Sequence, residues 1–189
     1  MADNATDVNA APVLDDAAKS RLGRIMGAMF RKSIAEPNQY VSKMVMDEQE
    51  NTTWYAIMTG MEGENGEYLG GEYLIKVMAT KEFPQKPPTF YVLTPNGLYD
   101  HGKKVCVSIG EYHADQWRPA LGMVGLVTQL VSGMIGWKTF GGGINIVSTT
   151  ADEKLKMAKN SSTWNAINYP EIIKSLNDSH AGYSALWKK

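Results

Sequence analysis

Apolar and polar positions follow a helical period near the start of the chain. Four apolar side chains recur at helical spacing and form one stripe: Leu22, Ile25, Met26 and Met29. Asp15 and Asp16 stand where a helix cap is expected, so the pattern predicts a helix from there to about residue 34. Residues 1–15 carry few large apolar groups and are predicted to form a disordered tail.

The next stretch has the alternation that is typical of half-buried strands. Strand-like segments fall at about residues 40–47, 52–60, 71–80 and 88–94. In the third segment Tyr73, Ile75 and Val77 share one face, while Lys76 lies on the other. An Asn-Gly pair within Glu64–Glu67 signals a turn. Because short connections favour antiparallel neighbours, the pattern predicts a four-stranded antiparallel sheet.

Regular periodicity stops after the fourth strand and returns only as helices. Residues 94–117 have no clear period and are predicted to form a long ordered loop, a kind of segment that is often functional. A glycine-rich apolar helix is expected at about residues 120–135. Thr150–Glu153 has capping-box form and predicts a helix to about residue 159, and Pro170 is placed to open a last helix.

This succession of one helix, four strands, a loop and further helices indicates an α+β domain. The 189 residues suit a single core, which we expect over residues 16–178, with residues 179–189 as a C-terminal extension. The formal net charge of −1 gives no reason to expect a nucleic-acid partner. No apolar run approaches the roughly 20 residues of a membrane span, so we expect no integral membrane segment.

Cys106 is the only cysteine in the sequence, which excludes an intrachain disulfide and fits a reducing compartment. A lone cysteine usually belongs to an inert core, but Lys103 and Lys104 closely precede this one, and nearby cations favour the reactive thiolate. A cysteine hydrolase that combines Cys106 with His113 or His101 and Asp115 is less favoured, and so is a metal site built from His101, Cys106 and His113. No protease signature and no zinc-type spacing surrounds Cys106.

Several short motifs stand in the same order as in a known family. They are Tyr68–Gly71, the proline-rich Phe83–Pro88, Thr94–Gly97, Val105–Ile109 and Tyr112–Leu121. Together they resemble the ubiquitin-conjugating enzymes, over roughly residues 16–175. The Thr-Pro-Asn sequence and the ten-residue step from Asn96 to Cys106 are similar to the J-type branch of endoplasmic-reticulum degradation, whose membrane tail we do not expect here.

The resemblance implies the ubiquitin-conjugating fold and gives roles to residues of the loop. Cys106 matches the cysteine that carries ubiquitin as a thioester. Asn96 matches the asparagine whose amide supports the loop and the oxyanion formed when the thioester is attacked. Thr94 replaces the common histidine, and Ser108 stands where many members have an aspartate that orients the acceptor. We therefore expect transfer to lysine and, since Ser108 brings no charge, to serine and threonine hydroxyls as well.

The resemblance also implies surfaces for partners, which would be ubiquitin, its activating enzyme, a ligase and a protein substrate. Arg21 and Arg24 match the basic surface of the first helix that meets the activating enzyme. Both lie off the apolar stripe, so reversing their charge should change packing little. Pro119 and Ala120 match a loop that contacts ligases, and Gln85 stands where many members present an apolar ligase anchor.

Neither a metal nor an organic cofactor is required by this chemistry. We expect a cytoplasmic enzyme, with the nucleus and the surface of the endoplasmic reticulum as further locations. The residues alone leave two alternatives open. One is an inactive variant that binds ubiquitin or a partner without chemistry, and the other is a conjugator of a different ubiquitin-like modifier.

Overall fold

A computed structural model describes residues 14–36, 38–47, 49–105, 117–136, 147 and 149–179. Its helices are α1 (Asp16–Ala35), α2 (Gly122–Ile135), α3 (Ala151–Asn168) and α4 (Pro170–Ser179), with a 3-10 turn at Pro119–Leu121 ahead of α2. Its strands are β1 (Val41–Met46), β2 (Thr53–Met58), β3 (Tyr73–Met78) and β4 (Thr89–Val92). The predicted α+β class and the order of the elements are confirmed.

The α1 helix forms as its sequence predicts. The carboxylate of Asp15 accepts a hydrogen bond from the backbone N–H of Ala18 at 2.7 Å, which satisfies one of the free donors of the first turn. Leu22 and Met26 are fully buried, and Met29 packs beside them. The hydrophobic effect therefore attaches this helix to the core through a single stripe.

Among the described residues the four strands form one antiparallel sheet in the order β1-β2-β3-β4. The alternation of side chains gives the sheet two apolar faces. The inner face packs with α1 and α2 and includes Trp54, Ala56, Met58, Tyr73, Ile75, Val77, Phe90 and Val92. The predicted four-stranded antiparallel arrangement is confirmed.

The outer face of the sheet is also covered, in this case by α4. Ile57, Leu74, Met78, Tyr91 and Leu93 are buried there against Leu176, with further isoleucine side chains of α4 alongside. Proline at the first position of α4 is confirmed by the structure. The sheet therefore lies between helical layers on both sides, and this explains why its strands are apolar at nearly every position.

The α3 helix starts as predicted but ends later. Thr150 and Glu153 form the expected capping box, in which each side chain accepts a hydrogen bond from the other residue's backbone N–H. The helix then continues to Asn168, nine residues beyond the predicted end. The prediction was wrong because residues 159–163 carry no large apolar group, whereas the helix is held here by the buried polar side chains of Ser161 and Asn165.

Candidate active site

The segment that follows β4 is buried although it is neither helix nor strand. Thr94 is fully buried and Asn96 is 1 % exposed. A buried loop must pair its backbone polar groups with other partners. Here the side chains of Thr94 and Asn96 supply many of those partners.

The Asn96 side chain forms four hydrogen bonds with described backbone groups. Its amide nitrogen donates to the carbonyls of Thr94 and Tyr99 at 3.0 and 3.1 Å. Its carbonyl oxygen accepts from the N–H groups of Leu98 and Tyr99 at 2.9 and 2.7 Å. Since an asparagine amide carries only two hydrogens, both are used within the loop. This geometry supports the loop directly, while the predicted contact with an oxyanion stays a prediction.

Thr94 connects this loop to two distant elements. Its hydroxyl accepts a hydrogen bond from the N–H of Leu74 in β3 at 2.7 Å. The same hydroxyl donates to the side-chain oxygen of Asn165 in α3 at 2.6 Å. Thr94 thus braces the loop without the histidine that most members of the resembled family place there.

After the loop, the chain returns along β4. The N–H groups of Gly102 and Val105 donate to the carbonyls of Val92 and Phe90, both at 2.9 Å, and Lys104 forms an antiparallel bridge with Tyr91. The residue before Cys106 is therefore anchored to the sheet. Cys106 and Ser108 themselves, with the rest of residues 106–116, lie outside the described residues, so their predicted roles stay predictions.

The polar stretch before Cys106 has its own internal contacts. Lys103 forms an ion pair with Asp100 at 2.6 Å, which offsets part of the positive charge expected near the cysteine. The imidazole of His101 meets the indole of Trp164 edge-on, with the ring centroids 5.8 Å apart. These contacts attach residues 100–103 to one another and to α3.

The two arginines predicted to meet the activating enzyme differ from each other. The guanidinium of Arg21 donates to the carbonyls of Phe83 and Lys81 at 3.0 and 2.8 Å, and the residue is half-buried. Arg24 is exposed and, among the residues that the structure describes, donates only to the hydroxyl of Ser20, one turn earlier in α1. The expectation that reversing either charge changes packing little stays a prediction, and for Arg21 these two hydrogen bonds argue against it, because its head group ties α1 to the segment after β3.

The three residues predicted to meet a ligase are all exposed: Gln85, Pro119 and Ala120. The segment that carries Gln85 and the segment that carries Pro119 and Ala120 are joined by contacts one or two residues away from them. The indole N–H of Trp117 donates to the carbonyl of Pro84 at 2.7 Å. The Trp117 ring, which is 3 % exposed, also lies 6.3 Å from the ring of Phe83. This arrangement fixes both segments on the surface, as a docking site would require.

Sequence reasoning missed two buried side chains of α3: Asn165 binds the loop through Thr94, and Ser161 binds the chain just before β3. Asn165 and Ser161 are each 1 % exposed and lie one turn apart, so both reach the chain just before β3. Gly97, with a φ of +75°, lies so close to Thr149 and Lys154 that a β-carbon would collide with them. The sequence does carry a stripe at helical spacing that marks the buried face of α3, formed by Lys154, Ala158, Ser161 and Asn165. A prediction from apolar residues alone does not find this stripe.

Within the described ranges no three side chains of histidine, cysteine, aspartate or glutamate converge as a metal site would require. The prediction that no cofactor is needed stays a prediction. Within the same residues, no helix has both the length and the apolar content to cross a membrane.

Comparison with known proteins identifies the relatives of this chain. No family model matches it. It is 32 % identical over 130 residues to a protein named ubiquitin-conjugating enzyme E2 34 of Arabidopsis thaliana, covering 66 % of this chain and 53 % of the relative. It is 30 % identical over 129 residues to ubiquitin-conjugating enzyme E2 J2 of Homo sapiens, covering 65 % and 48 %. It is also 32 % identical over 153 residues to ubiquitin-conjugating enzyme E2 6 of Debaryomyces hansenii, covering 79 % of this chain and 59 % of that relative. The chain belongs to the ubiquitin-conjugating enzyme family.

The predicted arrangement of an N-terminal helix, a four-stranded antiparallel sheet and C-terminal helices is the one described above. Among solved structures, the ubiquitin-conjugating enzyme E2 of Plasmodium vivax superposes with a TM-score of 0.47 at 23 % identity, covering 58 % of this chain and 97 % of that one. The resemblance to the J-type branch agrees with the human J2 relative. The chain spans about half the length of the curated relatives it matches.

Proposed function

We propose that this protein accepts activated ubiquitin on Cys106 and passes it to a substrate. The observation that supports the proposal most strongly is the buried loop around Asn96, which lies ten residues before the only cysteine in a chain of this family. Ubiquitin, an activating enzyme, a ligase and a protein substrate would be its partners. The relatives are named as ubiquitin-conjugating enzymes, and this favours an active protein over an inactive binding module.

The reaction takes place in two acyl transfers. In the first, the Cys106 thiolate attacks the thioester carbonyl of ubiquitin on the activating enzyme; a new C–S bond forms, the old C–S bond breaks, and the activating enzyme's cysteine leaves as a thiolate. In the second, a lysine amine attacks the new thioester, an amide bond forms, and the Cys106 thiolate leaves while the amine gives up a proton to solvent. Neither transfer consumes an oxidant, a reductant or a metal.

The test of this function is a non-reducing gel after the protein is mixed with activating enzyme, ATP and ubiquitin. We expect an adduct that a thiol reductant removes. Cys106→Ala should abolish it, whereas Cys106→Ser should give a slower adduct that resists the reductant. Parallel reactions with other ubiquitin-like modifiers and their activating enzymes identify the modifier. Normal charging of Cys106→Ala would contradict the proposal.

Asn96 is proposed to act mainly in the second transfer. Its amide holds the backbone from Thr94 to Tyr99 in one conformation, and a displaced loop would misplace the groups around the reacting thioester. Asn96→Ala should slow discharge of preformed thioester by about a hundredfold, with charging less affected. Equal discharge rates would remove Asn96 from the transfer step.

Ser108 is proposed to widen the choice of acceptor. It carries no charge to guide a lysine ammonium, and hydroxyl acceptors need no such guide. Single-turnover discharge onto free lysine, serine and threonine, followed by hydroxylamine, separates amide from ester products. Products formed only with lysine, and none of them labile to hydroxylamine, would contradict the hydroxyl activity while leaving the thioester proposal intact.

We propose a cytoplasmic location, with the nucleus or the surface of the endoplasmic reticulum as further sites of action. A catalytic thiol needs a reducing compartment to stay reduced, which supports this proposal. Fractionation of expressing cells should leave the chain in the supernatant or release it from membranes with salt. Retention through salt and carbonate washes would contradict it.

A further inference from the structure

We propose that Asn165 of α3 is a positioning residue for ubiquitin transfer, acting on Asn96 through Thr94. The inference rests on the proposed function, because transfer is the step that it would change. Asn165 lies 69 residues after Asn96 in the sequence, and no motif of the family resemblance includes it. Two independent sets of hydrogen bonds carry the argument.

The first set fixes Asn165 itself. Its amide nitrogen donates to the carbonyl of Glu72, at the entrance to β3, at 2.9 Å. Its side-chain oxygen accepts the Thr94 hydroxyl at 2.6 Å. With one end on the sheet and the other on the loop, the Asn165 amide has a single orientation that satisfies both partners.

The second set passes from Thr94 to Asn96. The backbone carbonyl of Thr94 accepts from the Asn96 amide at 3.0 Å, and Pro95 between them has a restricted φ. A shift of Thr94 therefore moves an acceptor on which the Asn96 side chain depends. That side chain in turn orients the N–H groups of Leu98 and Tyr99.

Burial makes this chain of bonds sensitive to loss of any member. Asn165 and Asn96 are each 1 % exposed and Thr94 is fully buried, so water has no easy access to a group left without a partner. A buried donor or acceptor that loses its partner raises the free energy of the folded state by its full desolvation cost, unless the backbone moves and supplies another partner. Movement of the Thr94–Tyr99 backbone is thus the expected response to removal of the Asn165 amide.

The chain at the start of α3 also contacts the same loop at Gly97, so the helix can hold the loop in place at a second point. Thr149, just ahead of the helix, donates its hydroxyl to the carbonyl of Gly97. The Lys154 side chain lies against the Gly97 backbone. Lys154 and Asn165 are 11 positions apart, or about 16 Å along a helix. The loop is therefore held against α3 at two separated points.

Ser161 offers a matched control in the same helix. It is as buried as Asn165 and also binds Glu72, but through the Glu72 N–H, at 2.8 Å, and it donates to the carbonyl of Ala158. Neither bond involves Thr94. Ser161→Ala should therefore weaken the attachment of α3 to β3 without disturbing the step from Asn165 to the loop.

Hydrogen exchange gives a readout that does not depend on activity. In Asn165→Leu, which is similar in size but forms no hydrogen bonds, the amides of Leu98 and Tyr99 should exchange at least about tenfold faster. Ser161→Ala should leave their exchange near that of the unchanged protein. Unaltered protection of Leu98 and Tyr99 in a folded Asn165→Leu protein would overturn the proposal.

Single-turnover discharge of the Cys106 thioester tests the functional half. Asn165→Leu should slow discharge by at least about tenfold while still charging to completion, and Ser161→Ala should stay within about twofold. The double variant with Thr94→Val should be no slower than the slower single one, since both changes interrupt the same connection. Unchanged discharge in Asn165→Leu would overturn the role in transfer.

Two further experiments test the proposal if Asn165→Leu does not fold or if the unchanged protein forms no thioester. If Asn165→Leu does not fold, Thr94→Val against Thr94→Ser replaces it. Relative to Thr94→Val, Thr94→Ser should restore both the exchange protection of the Leu98 and Tyr99 amides and the rate of discharge. Equal behaviour of the two variants would overturn the proposal. If the unchanged protein forms no thioester, the proposed function fails, and hydrogen exchange alone decides whether Asn165 positions the loop.

Discussion

The helices α1 and α3 are of similar length, but different chemistry holds each of them in place. Buried α1 residues include Leu22 and Met26, which enter the main core. The buried residues of α3 are instead Lys154, Ala158, Ser161 and Asn165, and its large apolar Ile167 is 72 % exposed. Apolar burial is non-directional, whereas hydrogen bonds require particular atoms at particular positions. One helix is therefore anchored to a core and the other to the backbone of a loop and a strand.

The two anchors have different tolerances. A core stripe accepts another apolar side chain of similar volume with small loss. The amide of Asn165 has no such substitute, since it donates at one end and accepts at the other. A helix held in this way is suited to define the geometry of a functional loop, while α1 mainly contributes stability.

The largest expected effect is on the apolar anchor of α1. Leu22→Ala should lower the free energy of unfolding by about 3 kcal/mol, because a fully buried side chain is lost and a cavity is left. Ile167→Ala removes a similar apolar volume from the exposed side of α3 and should change the free energy of unfolding by less than about 0.5 kcal/mol. Urea denaturation measures both. Equal losses would mean that Ile167 contributes as much to stability as the buried Leu22.

The next effect is on the polar anchor of α3. Ser161→Ala leaves the N–H of Glu72 without its side-chain acceptor and should lower the free energy of unfolding by about 1–2 kcal/mol. Ser162→Ala, at the exposed neighbouring position, is the control and should cause little change. The same denaturation experiment compares them. A Ser161→Ala protein as stable as the control would show that hydrogen bonds do not hold this helix.

Charge reversal in α1 should separate Arg21 from Arg24. Arg21→Glu places a carboxylate against two backbone carbonyls and should cost about 1 kcal/mol or more of stability. Arg24→Glu should leave stability within about 0.5 kcal/mol, yet slow charging by the activating enzyme at low salt through a lower association rate. Charging kinetics beside thermal melts measure the two effects. Unchanged charging of Arg24→Glu would leave this face without a role in recruitment.

The smallest expected effect concerns the cap of α3. Thr150→Ala should cost about 1 kcal/mol, similar to Asp15→Ala at the start of α1. Hydrogen bonds from the backbone N–H and then the hydroxyl of Thr150 lower the pKa of Glu153, and the substitution removes only the bond from the hydroxyl. The stabilisation that comes from this hydroxyl bond to the carboxylate is present above the unfolded pKa of about 4.3 and is lost as pH falls through the lower folded value. The stability gap between Thr150→Ala and the unchanged protein should narrow in acid. A gap that stays constant down to pH 3 would contradict this coupling.

Particular residues explain where prediction from the sequence succeeded. The Leu22–Met29 stripe and the alternation from Tyr73 to Val77 report burial directly, because burial repeats with the period of the element. The Asp15 and Thr150 caps were also predictable, since each acts within its own helix turn. The end of α3 was not, because the buried residues that extend it, Ser161 and Asn165, are polar and their partners lie far away in the sequence.

By itself the sequence determined the order of the elements, their amphipathic faces and the only cysteine that could carry an acyl group. The tertiary structure decided how the loop around Asn96 is held: Thr94 binds Leu74 and Asn165, and α4 covers the outer face of the sheet. The physical reason is that periodicity records which side chains avoid water but not which polar atoms meet. A hydrogen bond between residues 71 positions apart exists only once the chain has folded to bring them within 3 Å.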